Sequence, residues 1–98
     1  MKSVEFNQYA IDELDEILIY YNQAGSSVLD DFRNEFDQKN NLISYSPKIF
    51  PAYRKNFRKC VMKKFPYNIV FREFDEKIII YAISHQRRKP NYWVKRNK

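Results

Sequence analysis

Glycine, cysteine and histidine occur once each in the 98 residues, as Gly25, Cys60 and His85. A lone cysteine excludes an internal disulfide, and with it the stapled scaffolds of small secreted domains. One glycine leaves no glycine-rich loop to cradle a nucleotide phosphate. One histidine and one cysteine without a nearby carboxylate pair fall short of a metal ligand set. No cofactor and no metal is expected, so any phosphate chemistry here would be metal-free. No apolar run reaches the length of a membrane span, and the opening Met1-Lys2-Ser3-Val4-Glu5-Phe6 lacks an apolar h-region. The expectation is a protein of the reduced cytoplasm that makes no membrane contact.

Aromatic residues are plentiful at 17%, within a hydrophobic content of 44%, and only four prolines interrupt the chain. That balance describes a folded domain rather than a disordered segment. The length supports one modest core, a single domain over 1–98, too small to enclose a large ligand. A large partner must therefore lie on the surface.

Charge is abundant and unevenly placed. Divided at Ser46-Pro47, the first half holds three cations (Lys2, Arg33, Lys39) against nine acids, a balance of −6, and the second holds fifteen cations against three acids, +12. An acidic half could simply offset a basic one. The asymmetry also suits a second half that meets phosphates or an acidic partner.

Periodicity organises the first half into helices. After a short strand at Ser3–Phe6, Ala10, Leu14, Ile17 and Tyr21 recur at helical spacing, widened by Ile11 and Leu18, with Asn7 as N-cap and Asp12 and Glu13 near the positive end of the dipole. Gly25 falls where this helix should stop. Ser26 and Ser27 offer a second cap, Asp30 and Asp31 a first turn, and Leu29, Phe32, Phe36 and Ile43 a second apolar face that ends at Ser46-Pro47. An αα-hairpin follows.

Beyond Pro47 the period becomes two. Residues 57–62 read as a strand exposed on one side, of open register. Residues 67–74 place Tyr67, Ile69 and Phe71 on one face and Asn68, Val70 and Arg72 on the other, with Asp75-Glu76 as a tight connection. The apolar run 78–83 suits a central strand covered on both faces. The fold class is α+β, ordered β-α-α-β-β-β, a helical hairpin packed on a small antiparallel-rich sheet with a basic C-terminal tail.

That tail begins at the only histidine, in Ser84-His85-Gln86-Arg87-Arg88-Lys89-Pro90-Asn91-Tyr92-Trp93. An imidazole among cations, set on a hairpin, suits gripping a polyanion or acting on one. A plainer role for His85 is to cap a carbonyl or pack at the sheet edge. Arg87, Arg88 and Lys89 could equally be solvated or paired with acids of the hairpin. Tyr92 and Trp93 could stack on bases, although folding Trp93 back over the core is the commoner outcome for such a residue.

The order of elements, the helix pattern Ala10…Asp12…Leu14…Ile17…Tyr20-Tyr21, the strand opening Phe65-Pro66-Tyr67 and the ending His85-Gln86-Arg87-Arg88-Lys89-Pro90…Trp93 together resemble the RelE/ParE toxins of bacterial toxin–antitoxin modules. The resemblance covers nearly the whole chain, and its ending looks more like the ParE-type, plasmid-stabilisation branch. It implies a toxin held inactive by a cognate antitoxin that wraps its basic, hydrophobic side as a helix in a groove or an added edge strand. ParE-type members bind and poison DNA gyrase, whereas RelE-type members cleave messenger RNA on the ribosome. Under the second activity the catalytic residues would be His85, Arg87 and Arg88.

The ribonuclease branch usually carries an arginine directly after the aromatic that opens the penultimate strand. Here that position is Asn68, a neutral amide, and Arg72, Lys59 or Lys63 would have to supply the missing charge. The expectation is therefore a gyrase inhibitor that acts by binding, with a target or partner surface made of Lys59, Lys63, Arg72, Arg87, Arg88, Lys89 and Tyr92. The ribosome-dependent endonuclease is the alternative, and a non-toxic nucleic-acid or protein-binding module a further one. A homodimer and a heterotetramer with the antitoxin both remain open.

Overall fold

The computed structural model describes residues 1–96, with Lys55 described by its backbone alone; Asn97 and Lys98, which end the basic tail, lie outside the described residues. Strand β1 (Ser3–Phe6) runs into Asn7, whose extended backbone and side-chain oxygen, accepting the Tyr9 N–H at 2.9 Å, start helix α1 (Gln8–Ala24). Gly25 alone separates α1 from α2 (Ser26–Tyr45). Its φ of 133° and ψ of 152° lie in a region that only glycine enters readily, which accounts for the one glycine standing here. Its N–H closes α1 on the Tyr21 carbonyl at 3.2 Å.

Because the break is a single residue, α2 begins at once, and the expected caps are drawn inside it. Ser26 and Ser27 are helical, no side chain among the described residues caps α2, and Asp30 and Asp31, like Asp12 and Glu13 in α1, lie beyond the first turn. The dipole and capping roles read for these residues are corrected accordingly.

Strands β2 (Arg58–Val61), β3 (Tyr67–Glu73) and β4 (Lys77–His85) join β1 in a four-stranded sheet of order β1-β4-β3-β2. β1 lies parallel to β4, and the other pairings are antiparallel. The α+β class and the element order agree with the sequence pattern, and the open register of β2 becomes Lys59 opposite Val70 and Cys60 opposite Ile69.

One irregularity explains the continuous apolar run in β4. Val70 faces Ala82 while Phe71 faces Ile80, so Tyr81 is an extra residue in the ladder. Such a bulge breaks strict alternation. Ile78, Ile80 and Ile83 therefore pack toward the helices, whereas Ile79, Tyr81 and Ala82 pack on the opposite side.

Two cores result. On the helical side, fully buried Phe32 stacks on Tyr21 and Phe36, with ring centroids at 5.5 and 5.8 Å, and meets Phe65 and Tyr67 edge-on. Truncating such a ring to alanine typically costs about 3–5 kcal/mol. On the other side, a C-terminal 3₁₀ helix (Tyr92–Arg96) brings Trp93, 2% exposed, onto Phe57, Val70, Tyr81 and Ala82. Trp93 thus takes the core-covering alternative.

Candidate binding site at the sheet end

The first residue of β3, Tyr67, pairs with the last residue of β4, His85, so the β2–β3 turn and the turn after β4 meet at one end of the sheet. Gln86 joins them: its N–H donates to the Pro66 carbonyl at 2.8 Å, and its side-chain amide reaches toward the Met62 and Tyr67 carbonyls at 3.5 and 3.4 Å. From α2, the buried Glu35 carboxylate accepts the Lys63 and Lys64 N–H groups at 2.6 and 2.9 Å. Both turns are therefore held by hydrogen bonds from neighbouring elements.

His85 is half-buried on the helical side. Its Nδ1 accepts the Arg87 N–H at 3.1 Å, which leaves Nε2 to carry the proton of the neutral ring, and it meets Tyr67 edge-on at 5.4 Å. The hollow it borders, about 230 Å³, is also lined by Glu13, Glu16, Tyr20, Tyr67 and Arg88. Burial pushes the Tyr67 hydroxyl well above the ordinary phenol range, reinforced by its hydrogen bond to Tyr21.

Beneath this hollow lies a residue that pattern reading assigned elsewhere. One Glu13 oxygen accepts the Ile83 N–H and an Arg96 N–H, both at 3.0 Å; the other accepts the Tyr92 hydroxyl at 2.6 Å, Arg96 at 3.2 Å and Arg88 at 3.3 Å. Arg96 also donates to the Tyr81 carbonyl at 3.0 Å and lies 4.8 Å over the rings of both Tyr9 and Tyr92. The Arg88 guanidinium lies 3.6 Å from the Tyr92 ring centroid. Burial, then the bond to Glu13, raises the Tyr92 hydroxyl above its usual value. Glu13 is thus the anchor by which α1 holds the tail.

The residues expected to share one platform are divided. Lys59 and Arg72 alternate onto the face opposite His85: the Lys59 ammonium sits 4.6 Å over the Tyr53 ring, and the Arg72 guanidinium lies over Phe57 and Phe74 at 5.7 and 5.1 Å. Asn68 shares that face, so position 68 and both cations alike point away from His85. Arg88 and Tyr92 are engaged with Glu13. Lys63, Arg87 and Lys89 remain exposed at the joined turns, together with Lys64. The expectation of one surface holding all the cations beside the imidazole is corrected by this placement, whose cause is strand alternation in β2 and β3 and one acid of α1.

Glu13 and Glu35 were missed as structural groups, although a signal existed. Glu13 lies three residues after Ala10 and four before Ile17, within the apolar stripe, and Glu35 lies three after Phe32. An acid at such a position needs donors. Among the described residues no group of three His, Cys, Asp or Glu could hold a metal ion, and no helix is long and apolar enough to cross a membrane.

Residues 4–90 match the family described as ParE toxin of type II toxin-antitoxin system, parDE. The chain is 32% identical over 81 residues to the protein named Toxin ParE2 from two strains of Mycobacterium tuberculosis, covering 82% of this chain and 77% of that relative. The solved structure titled "Chromosomal ParDE TA system from P. aeruginosa" has a TM-score of 0.72 at 18% identity, covering 87% of this chain and 96% of that one, a likeness of fold.

Proposed function

The chain belongs to the ParE toxin family of type II toxin–antitoxin systems, which implies a cognate antitoxin, and we propose that it inhibits DNA gyrase by binding, without chemistry of its own. The observation that carries this reading is the setting of His85. Cleaving RNA through its 2′-hydroxyl requires a base, an acid and cations that stabilise charge on the phosphorane. His85 instead shares its hollow with Glu16, which opposes an approaching phosphate, and with Glu13, which already holds Arg88 and Arg96. The guanidinium that lines this hollow, Arg88, is paired with Glu13 at 3.3 Å. Asn68, Lys59 and Arg72 belong to the other face of the sheet. A binding mechanism asks none of these groups to converge on one phosphate. The antitoxin would neutralise the toxin by covering the basic end of the sheet, with the edge strand β2 as the place where an added strand could pair.

The test compares gyrase and ribosome directly. Purified protein should inhibit DNA supercoiling by gyrase, His85→Ala should inhibit it as well, and induction in growing cells should leave ribosome-bound messenger RNA intact. Cleavage within ribosome-bound codons, abolished by His85→Ala, would establish the endonuclease reading instead.

A further inference from the structure

We propose that the joined turns form a contact surface for the phosphate backbone of duplex DNA, carried by Lys63, Lys64, Arg87 and Lys89. This deepens the gyrase reading and rests on it, since the duplex in question is the one gyrase holds while the toxin is bound.

Three observations lead there. The four side chains are exposed, and among the described residues none takes part in an ion pair. Their neighbours offset them only in part: the hollow beside Lys63 and Lys64 holds two acids, Asp31 and Glu35, against Lys39, and the Glu35 oxygens are turned to two backbone N–H groups. The backbone is also held in place, by the Gln86 and Glu35 hydrogen bonds and by the Arg88 N–H on the His85 carbonyl at 2.9 Å. Cations fixed on ordered turns lose less freedom when they meet a rigid polyanion.

The same surface offers charge without apolar anchors, so a protein that covers it, the antitoxin included, must take its anchoring contacts elsewhere, as along the β2 edge. A protein interface draws most of its energy from apolar or aromatic anchors at its centre. A single-stranded nucleic acid needs open rings on which bases stack. The rings carried by these turns and the tail are committed elsewhere: Phe65 packs edge-on against Tyr21 and Phe32 at 5.1 and 5.3 Å, Tyr92 lies under Arg88, and Trp93 is buried, while the exposed Tyr20 belongs to α1 and the neighbouring hollow. Exposed ammonium and guanidinium groups without an aromatic platform match the phosphates of a duplex, contacted for charge and not for sequence.

The experiment is a salt titration of full-length toxin binding to a short mixed-sequence duplex, read by fluorescence anisotropy. Four neutralised phosphates give a slope of log K against log salt of about −3.5, and Lys63→Gln with Lys64→Gln should flatten it by about two units. Thermal unfolding of this double variant should match the parent, since both side chains are exposed. Lys59→Gln, on the other face, should leave the slope unchanged. A wild-type slope near zero, a double variant that keeps the parental slope, or tighter binding to RNA or to an acidic peptide than to the duplex would each overturn the proposal. Binding to DNA-free gyrase is measured alongside. Gyrase bound without a DNA contribution rejects this surface alone, and DNA bound without gyrase inhibition rejects the gyrase reading while keeping the surface.

Discussion

Replacing Glu13 by alanine should loosen the tail before it unfolds the domain. The substitution removes the acceptor of the Ile83 N–H, the Tyr92 hydroxyl and the Arg96 guanidinium, whose side chain, like that of Glu13, is 13% exposed. Removing one partner of a buried pair costs about 3–5 kcal/mol, because the other charge is left without compensation. The Arg88 pairing adds little, since that side chain is half exposed. Arg96 can also escape toward solvent with the chain end, so the loss is bounded by the cost of undocking the tail, and about 3 kcal/mol is the expected value. For a domain of this size that corresponds to a fall in Tm of about 10–20 °C. Glu13→Gln keeps the shape and one acceptor and should lose roughly half as much. Trp93, the only tryptophan, provides a second readout: its emission should shift to the red at temperatures below the main transition, as the indole leaves Phe57 and Tyr81. A Glu13→Ala protein with parental Tm and a parental emission maximum would refute the anchor role.

Acid stability should depend on the far end of the sheet. The Lys2 ammonium, 2.7 Å from Glu73, holds that carboxyl below its usual range against the opposing effect of burial. The stabilisation is whole above the ordinary carboxylate range and is lost as pH falls through the folded value, so Lys2→Ala should flatten the acid limb of a stability–pH profile and leave its alkaline limb in place. Equal acid limbs in parent and variant would contradict this. Cys60, 1% exposed, has its thiol pushed up to about 11 by burial, with Lys39 pulling the other way. Alkylation at about pH 8 should therefore follow global unfolding in a denaturant series. Rapid labelling of the native protein would show the strand to be open.

Much of the fold was legible because its punctuation is sparse and its periods are clean. The single glycine marks the hinge, Ser46-Pro47 marks the change from helix to strand, and Ile69 and Phe71 alternate with Val70 and Arg72 as a strand requires. The bulge at Tyr81 was hidden, since a run of apolar residues reads the same whether alternation holds or slips by one. The role of Glu13 was hidden for a tertiary reason. β1 ends its pairing at Phe6 opposite Ile80, and Asn7 takes the Ile80 carbonyl, so β4 continues without that neighbour. The Ile83 N–H then needs an acceptor, and α1 supplies one. No local pattern states that β1 is shorter than β4.

The same geometry divides two neighbours that looked equivalent. Arg87 and Arg88 adjoin in a basic run, yet the turn after His85 sends Arg88 back over Tyr92 to Glu13, while Arg87 contributes only its N–H to the imidazole and leaves its guanidinium at the surface. A combined alanine substitution would therefore mix a loss of surface charge with a weakened tail anchor. The separation also clarifies the charge asymmetry of the chain. Part of it is internal, spent where Glu13 of the acidic half meets Arg88 and Arg96 of the basic half. Four further cations, Lys63, Lys64, Arg87 and Lys89, stand where Glu35 and Gln86 fix the backbone and leave those side chains without an ion pair among the described residues. An acidic helical hairpin thus does more than offset a basic sheet: by binding the tail's guanidinium groups and two turn amides, it selects which cations stay available to a partner.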